Sequence, residues 1–210
     1  MKNIELARFF DKDSSKIQTV TIADYESMVK SKDKDGLASF VYNRLASRYL
    51  LPHRYEGTEY AEQYKNGFSM MASYCLLIET IQSFKNGWGT TDGNVGNAFR
   101  QFFLDSPHFT ELETLANEFY KNVRCGILHQ GETTNGWRIT RIGGRKLYTA
   151  STKTLDAIRF SERLEKELAT YTNKLRKSEW DSSEWDNFRV KMRAIIRNCG
   201  PNQSELRKKK

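Results

Sequence analysis

The chain has 210 residues, of which 38% are hydrophobic and 12% aromatic, and it carries a formal net charge of +8. This apolar content excludes a globally disordered chain, which lacks the residues needed to build a core. The length favours one domain, and the positive charge favours a polyanionic partner.

The sequence also limits the compartment and the cofactors. No apolar run reaches the roughly 20 residues that a membrane-spanning helix needs, and residues 1–10 do not resemble a secretory signal. The three cysteines, Cys75, Cys125 and Cys199, are odd in number and widely spaced. Such spacing is typical of reduced thiols rather than of disulfides or a zinc site. We therefore expect a cytoplasmic protein with no membrane partner, no metal and no cofactor.

The first third of the chain predicts one strand and two helices. Residues 1–35 are expected to form an N-terminal arm or short appendage, with a strand at 16–22, where β-branched residues alternate. A helix is predicted over 37–51, because apolar residues recur at helical spacing and Pro52 follows. The most apolar helix is predicted over 64–84, and apolar residues on several of its faces indicate burial. Within it, Glu79 needs a partner if it is buried, and Arg124 is the candidate.

The remaining elements follow in chain order. After a short helix over 95–104, a helix is predicted from an N-cap at Thr110, with a capping box to Glu113, up to Gly131. Residues 137–142 alternate, Gly143-Gly144 turns and residues 146–148 resume, which predicts a β-hairpin. Amphipathic helices are predicted over 154–177 and 183–198, before a basic tail at 201–210.

The pattern as a whole therefore predicts an all-α fold. It is a helical bundle over residues 36–200, with a small β-hairpin insertion around 137–148.

Residues 119–132 read Phe-Tyr-Lys-Asn-Val-Arg-Cys-Gly-Ile-Leu-His-Gln-Gly-Glu and place Arg124, Gly126 and His129 near a helix end. The planar fork of an arginine suits phosphate oxygens, and a histidine exchanges protons near neutral pH. Residues five apart on an ideal helix are separated by about 140°. We expect the pair to meet only if the last turn distorts or if a second copy packs across a two-fold axis, with Gly126 permitting a close approach.

Arg124-Cys-Gly-Ile-Leu-His129 resembles the Arg-x(4–6)-His signature of the HEPN superfamily. The resemblance covers six residues as a motif and about residues 37–178 as an architecture. It implies a HEPN-like helical bundle that forms a homodimer and acts as a metal-independent endoribonuclease. It also implies a toxin–antitoxin or antiviral-defence context, with a cognate inhibitor or defence-system partner.

The resemblance makes Arg124 and His129 the catalytic residues. The 2′-OH of RNA would attack the adjacent phosphate, with His129 as general base or acid. Arg124 would stabilise the charge that develops on phosphorus.

Further residues are predicted to contact the RNA. Two polar residues flank the motif, and no acidic residue lies between Glu132 and Asp156, where several basic residues fall. Trp137 either stacks on bases or lies in the core. The predicted substrate contacts are Tyr120, Asn122, Trp137, Arg138, Arg141 and Lys146.

Two other hypotheses remain open. In active HEPN proteins the residue after the arginine is often Asn, Asp or His, whereas this chain has Cys125. That difference favours a catalytically inactive HEPN-like binding or antitoxin module. The third hypothesis is a helical interaction domain unrelated to HEPN.

Overall fold

The computed structural model describes residues 3–11, 14–54 and 66–200. It is mostly helical but also contains two β-sheets, so the predicted all-α fold class is wrong and the fold is mixed α/β. The predicted tail at 201–210 and the first residues of the helix predicted over 64–84 lie outside the described residues. Within the described ranges, no helix combines the length and the apolar character needed to cross a bilayer.

The helices largely follow the predicted periodicity, although their ends differ by a few residues. The helices predicted over 37–51, 95–104 and 183–198 are all present. The α-helices, in chain order, are α1 (Ile22–Lys30), α2 (Lys34–Tyr49), α3 (Gly67–Asn86), α4 (Val95–Asp105), α5 (Ala116–Phe119), α6 (Cys125–Gln130), α7 (Ala157–Lys177) and α8 (Ser183–Asn198).

The chain divides into two compact units, each made of separate segments. Unit 1 contains Met1–Ser47, Ser83–Thr90 and Tyr171–Lys210, and unit 2 contains Arg48–Gln82 and Thr91–Thr170.

Unit 1 begins with an antiparallel pair of strands, β1 (Glu5–Asp11) and β2 (Lys16–Thr21), which confirms the strand predicted at 16–22. Helix α1 follows β2 at once because Thr21 and Asp24 form a capping box. The Thr21 hydroxyl accepts the Asp24 N–H, and the Asp24 carboxylate accepts the Thr21 N–H at 2.8 Å. The core of this unit contains an aromatic cluster of Tyr25, Phe40, Phe84, Tyr171, Trp185 and Phe188.

Unit 2 is held together by a cluster of phenylalanines from its helices and the turns between them. The ring centroids of Phe109 and Phe160 lie 4.9 Å apart, and those of Phe103 and Phe119 lie 5.0 Å apart. All four side chains are fully buried. Because Phe119 is the last residue of α5, this cluster fixes the helix that carries the Arg-x4-His motif.

The predicted N-cap at Thr110 is wrong. Thr110–Leu112 forms a single 3-10 turn with no side-chain cap, and the helical path begins at Ala116. Phe109 and Leu112 are both fully buried. Burial of these two apolar side chains therefore determines the backbone here, and the local capping signal does not. The predicted end at Gly131 is confirmed, since this glycine adopts the left-handed conformation with φ 72°.

The predicted hairpin over 137–148 is also wrong. Strand β3 (Arg138–Thr140) pairs in parallel with β5 (Thr154–Asp156), and β4 (Tyr148–Thr149) pairs antiparallel to β5. The strand order is therefore β3-β5-β4, with β5 in the centre. The central strand consists of residues that were predicted to begin a helix.

Asp156 and Arg159 explain this difference. The Asp156 carboxylate accepts the N–H groups of Ile158 and Arg159 at 3.0 and 3.2 Å, so it caps α7 and ends β5. The Arg159 guanidinium donates to the carbonyls of Gly143 and Gly144. This contact holds the glycine turn against α7. The turn therefore does not connect two strands that pair with each other.

Candidate active site

A π-helical turn ends at Arg124, the first of the two candidate residues. Residues Tyr120–Arg124 are π-helical, and the Cys125 N–H donates to the Tyr120 carbonyl five residues earlier. Together with α5 and α6 they form one continuous helical segment, residues 116–130, which we call the motif helix. Single π turns inside α-helices are rare and occur frequently at functional sites.

Arg124 and His129 meet within one chain. The Arg124 Nη1 atom lies 3.3 Å from the His129 Nε2 atom. Neither of the two alternatives set by the helix geometry applies, because the last turn, Cys125–Gln130, is α-helical and the π turn ends at Arg124. The long arginine side chain spans the remaining angle, and a second copy of the helix is not needed to bring the two groups together.

Glu79 of α3 holds the arginine in place. The Arg124 Nε donates to Glu79 Oε1 at 3.0 Å, and the two side chains are only 14% and 11% exposed. Thr91 donates its hydroxyl to the other carboxylate oxygen at 3.4 Å. Burial disfavours the charged guanidinium, but the hydrogen bond and charge of Glu79 outweigh it and raise the pKa of Arg124. The predicted pairing of Glu79 with Arg124 is present.

His129 is the exposed member of the pair. An arginine has only donors, so its Nη1 can bond to His129 Nε2 only when that nitrogen carries no proton. The remaining proton of a neutral ring then lies on Nδ1. The arrangement thus places a solvent-accessible imidazole beside a fixed positive charge.

Tyr120 and Cys125 lie next to the Arg124 guanidinium. The Arg124 Cζ atom lies 5.9 Å from the centre of the Tyr120 ring. Burial, together with the hydrogen bond and charge of Cys125, raises the pKa of the Tyr120 phenol, so it remains a donor at neutral pH. Cys125 is partly exposed, whereas Cys75 is fully buried and burial raises the pKa of its thiol.

Gly126 and Asn122 secure the chain reversal that follows the motif helix. A Cβ atom on Gly126 would lie 2.5 Å from the Glu132 carbonyl oxygen, so only glycine fits there. We expected Gly126 to admit a second helix, but residues 132–134 of the same chain occupy that space. Asn122 is only 5% exposed, and its side-chain and backbone oxygens both accept from Thr134 at 2.9 Å. Its side chain is therefore used inside the fold.

The other predicted RNA contacts do not converge on one place. Trp137 is 3% exposed and packs parallel to Tyr148, with ring centroids 5.2 Å apart, so it lies in the core and is not placed to stack on a base. Arg138 is exposed on β3. Arg141 lines a cavity of about 480 Å³, whereas the exposed Lys146 lines a different cavity of about 370 Å³.

The chain matches no family model, no curated protein and no solved structure. The function must therefore be inferred from the residues of the site. Across residues 3–11, 14–54 and 66–200, no three His, Cys, Asp or Glu side chains are grouped so that they could hold a metal ion.

Two features of the site were missed from the sequence. Thr91 reaches Glu79 from the segment between α3 and α4, and nothing in its local pattern indicates this contact. The π turn was not predicted either, because the apolar residues over 112–127 recur at the spacing of an ordinary α-helix. The one signal in the sequence was Gly126, since a glycine inside a helix often marks a close backbone contact, here the contact with residues 132–134.

Proposed function

We propose that this chain is a HEPN-type, metal-independent endoribonuclease that acts in the cytoplasm, in a bacterial defence or toxin–antitoxin context. The observation that carries the proposal is the approach of Arg124 Nη1 to within 3.3 Å of His129 Nε2. These two atoms belong to Arg124 and His129, which carry the resemblance to the Arg-x4-His motif. The imidazole can act as a base, and the guanidinium is a fixed cation.

The proposed reaction uses the nucleophile that RNA itself carries. His129 Nε2 removes the proton of a ribose 2′-OH, and the 2′ oxygen then bonds to the adjacent phosphorus. The bond from phosphorus to the 5′ oxygen breaks, that oxygen takes up a proton from water, and His129 returns its own proton to the solvent. The products are a 2′,3′-cyclic phosphate and a 5′-hydroxyl end.

Arg124 stabilises the negative charge that builds up on the phosphate oxygens, an effect often worth about 10²–10³-fold in rate. A phosphate oxygen that replaces His129 Nε2 as the acceptor of Arg124 Nη1 would free that nitrogen to accept the 2′-OH proton. Because Glu79 binds the Nε atom, the Nη1 atom stays directed at that acceptor. Glu79 is thus a positioning residue for the cation.

A homodimer and a cognate inhibitor or defence-system partner are part of the proposal through the resemblance to HEPN proteins. In such a dimer each copy would supply a complete pair, because Arg124 and His129 meet within one chain. A dimer would then present two such pairs to RNA.

The decisive experiment incubates the purified protein with mixed RNA in the presence of a chelator. We expect cleavage that leaves 2′,3′-cyclic phosphate ends, and a loss of about 10²-fold or more in His129→Ala and in Arg124→Ala. Lys121→Ala is the matched control, because Lys121 is an exposed cation on the same helix. Undiminished cleavage by either site variant would refute the proposal.

A catalytically inactive binding or antitoxin module is the second candidate, and Cys125 favours it. This thiol lies beside the guanidinium, at a position where active HEPN proteins often carry Asn, Asp or His. The variant Cys125→Asn separates the two candidates. If the wild type is inactive and Cys125→Asn cleaves RNA, the natural chain is the binding module.

A further inference from the structure

A row of arginines lies on α8 in unit 1. Arg189, Arg193 and Arg197 are spaced four residues apart, so they share one face of the helix. The helical rise places successive members about 6 Å apart along the axis. All three line one groove of about 400 Å³, which we call the arginine groove; its other lining residues are Tyr25, Glu26, Val29 and Ile196.

The first arginine of the row is fixed by the protein. Both terminal nitrogens of Arg189 donate to the Trp180 carbonyl, at 3.1 and 3.2 Å, and one also pairs with Asp186 at 2.7 Å. Its guanidinium carbon lies 4.8 Å from the centre of the Trp180 ring. Arg189 therefore has a rigid position and a compensated charge.

The other two arginines differ from the first. Arg193 and Arg197 are exposed. In the part of the chain that the structure describes, neither guanidinium makes a hydrogen bond or an ion pair. Glu26 is the one acidic residue among those that line the groove. The groove therefore keeps a surplus of positive charge that the described residues do not neutralise.

The opposite wall of the groove is apolar with one hydroxyl. Tyr25 is buried against Phe40 and Phe188. Burial raises the pKa of its phenol to about 12, although the charges of Arg189 and Arg193 oppose the shift. The phenol is thus neutral near pH 7, and it lies within the field of the arginines.

A linear polyanion suits this surface better than a single anion does. The two uncompensated guanidinium groups follow one another along a line, and each presents the planar fork that binds phosphate oxygens. We propose that the arginine groove binds the phosphodiester backbone of single-stranded RNA through Arg193 and Arg197. This binding does not depend on Arg124 and His129, so it holds whether or not the chain cleaves RNA.

The test measures the binding of a fluorescent 2′-O-methyl oligoribonucleotide, which cannot be cut by 2′-OH attack. Anisotropy titrations at several salt concentrations compare the wild type with Arg193→Ala/Arg197→Ala. At 0.1 M salt we expect the double variant to bind about tenfold more weakly than the wild type, or weaker still. The slope of log K against log salt should be shallower in the double variant by about 1.4. Arg8→Ala/Lys16→Ala removes the same charge from exposed positions outside the groove lining, and it should change the affinity less than twofold.

Two further variants test the role of charge in the groove. Arg193→Lys/Arg197→Lys keeps the charge and should keep most of the salt dependence. Glu26→Gln removes the carboxylate and should tighten binding by about two- to fivefold. A merely structural role for these side chains would not produce a gain of affinity. Thermal unfolding followed by circular dichroism checks that each variant is folded.

Three results would overturn the proposal. One is no measurable oligonucleotide binding by the wild type at low salt. Another is an affinity and a salt slope that are unchanged in Arg193→Ala/Arg197→Ala, or changed equally in the control. The third is polyglutamate that binds more tightly than the oligonucleotide and depends on the same two arginines, which would point to an acidic protein partner.

Discussion

The two arginine sites of this chain differ in what surrounds the guanidinium. Arg124 is mostly buried, and it bonds both to a carboxylate and to an imidazole. Arg193 is exposed, and it has no ion pair among the described residues. A fixed cation beside a base suits the stabilisation of a transition state, whereas an uncompensated surface cation suits electrostatic attraction of a polyanion. We therefore propose that the first site supplies chemistry and the second supplies affinity.

The largest expected difference comes from replacing arginine by lysine at each site. Arg124→Lys should lower RNA cleavage by about 10²-fold or more, because one ammonium cannot replace the Nε bond to Glu79 and the Nη1 bond to His129 together. Arg193→Lys should weaken oligonucleotide binding less than about threefold, since the charge remains. Single-turnover cleavage and anisotropy measure the two effects. Equal losses at both sites would show that this division of roles is mistaken.

The two carboxylates near these arginines should differ in how much they contribute to the stability of the fold. Glu79→Gln leaves a buried cation without its charged partner, and we expect a loss of about 2–3 kcal/mol in the free energy of unfolding. Cleavage should fall with it, because the guanidinium is no longer held. Glu26→Gln in the arginine groove should leave the stability within about 0.5 kcal/mol. Urea unfolding measures both, and a Glu79→Gln protein as stable as the wild type would contradict a structural role for this ion pair.

The reversal after the motif helix provides a further test of how rigid the first site is. Gly126→Ala places a Cβ atom 2.5 Å from the Glu132 carbonyl oxygen, so we expect destabilisation by about 1–3 kcal/mol. Gly89→Ala is the matched control, because its Cβ atom would meet Ala194 at an ordinary 3.6 Å. Thermal unfolding compares them. If both alanines are equally tolerated, residues 132–134 do not pack against Gly126 as the structure describes.

Patterns that repeat along a single element were predicted well, whereas contacts between distant segments were not. Helix α8 was predicted at its observed bounds because apolar residues at helical spacing, such as Trp185, Phe188 and Met192, form its buried face. Thr154-Leu155-Asp156 was taken as the start of a helix, since three residues do not distinguish a strand from a helical turn. Its strand character depends on pairing with residues 138–140 and 148–149.

The candidate site shows the same limit. The motif and the pairing of Glu79 with Arg124 were predictable, because a buried carboxylate requires a cation. The meeting of Arg124 and His129 in one chain was not, because helix geometry alone separates residues five apart by about 140°. The reach of the long arginine side chain closes that angle, and the residue pattern does not show which way the side chain extends.

The smallest expected effect concerns an ion pair that is more exposed than that of Arg124. In unit 1, Lys174 Nζ lies 2.8 Å from Glu184 Oε1, with side chains 65% and 26% exposed. The hydrogen bond from Lys174 lowers the pKa of Glu184 to about 2. Since the folded state has the lower pKa, this stabilisation is present above the ordinary value near 4.5 and is lost as the pH falls towards 2.

Solvent screening keeps this contribution to about 0.5–1 kcal/mol. Unfolding measured between pH 5 and pH 2.5 should therefore show a slightly shallower loss of stability in Glu184→Gln than in the wild type, and the difference should shrink in high salt. A salt-independent difference would mean that Glu184 stabilises α8 through packing. By contrast, we expect the stability contributed by the buried Glu79–Arg124 pair to be insensitive to salt, because water is largely excluded from it.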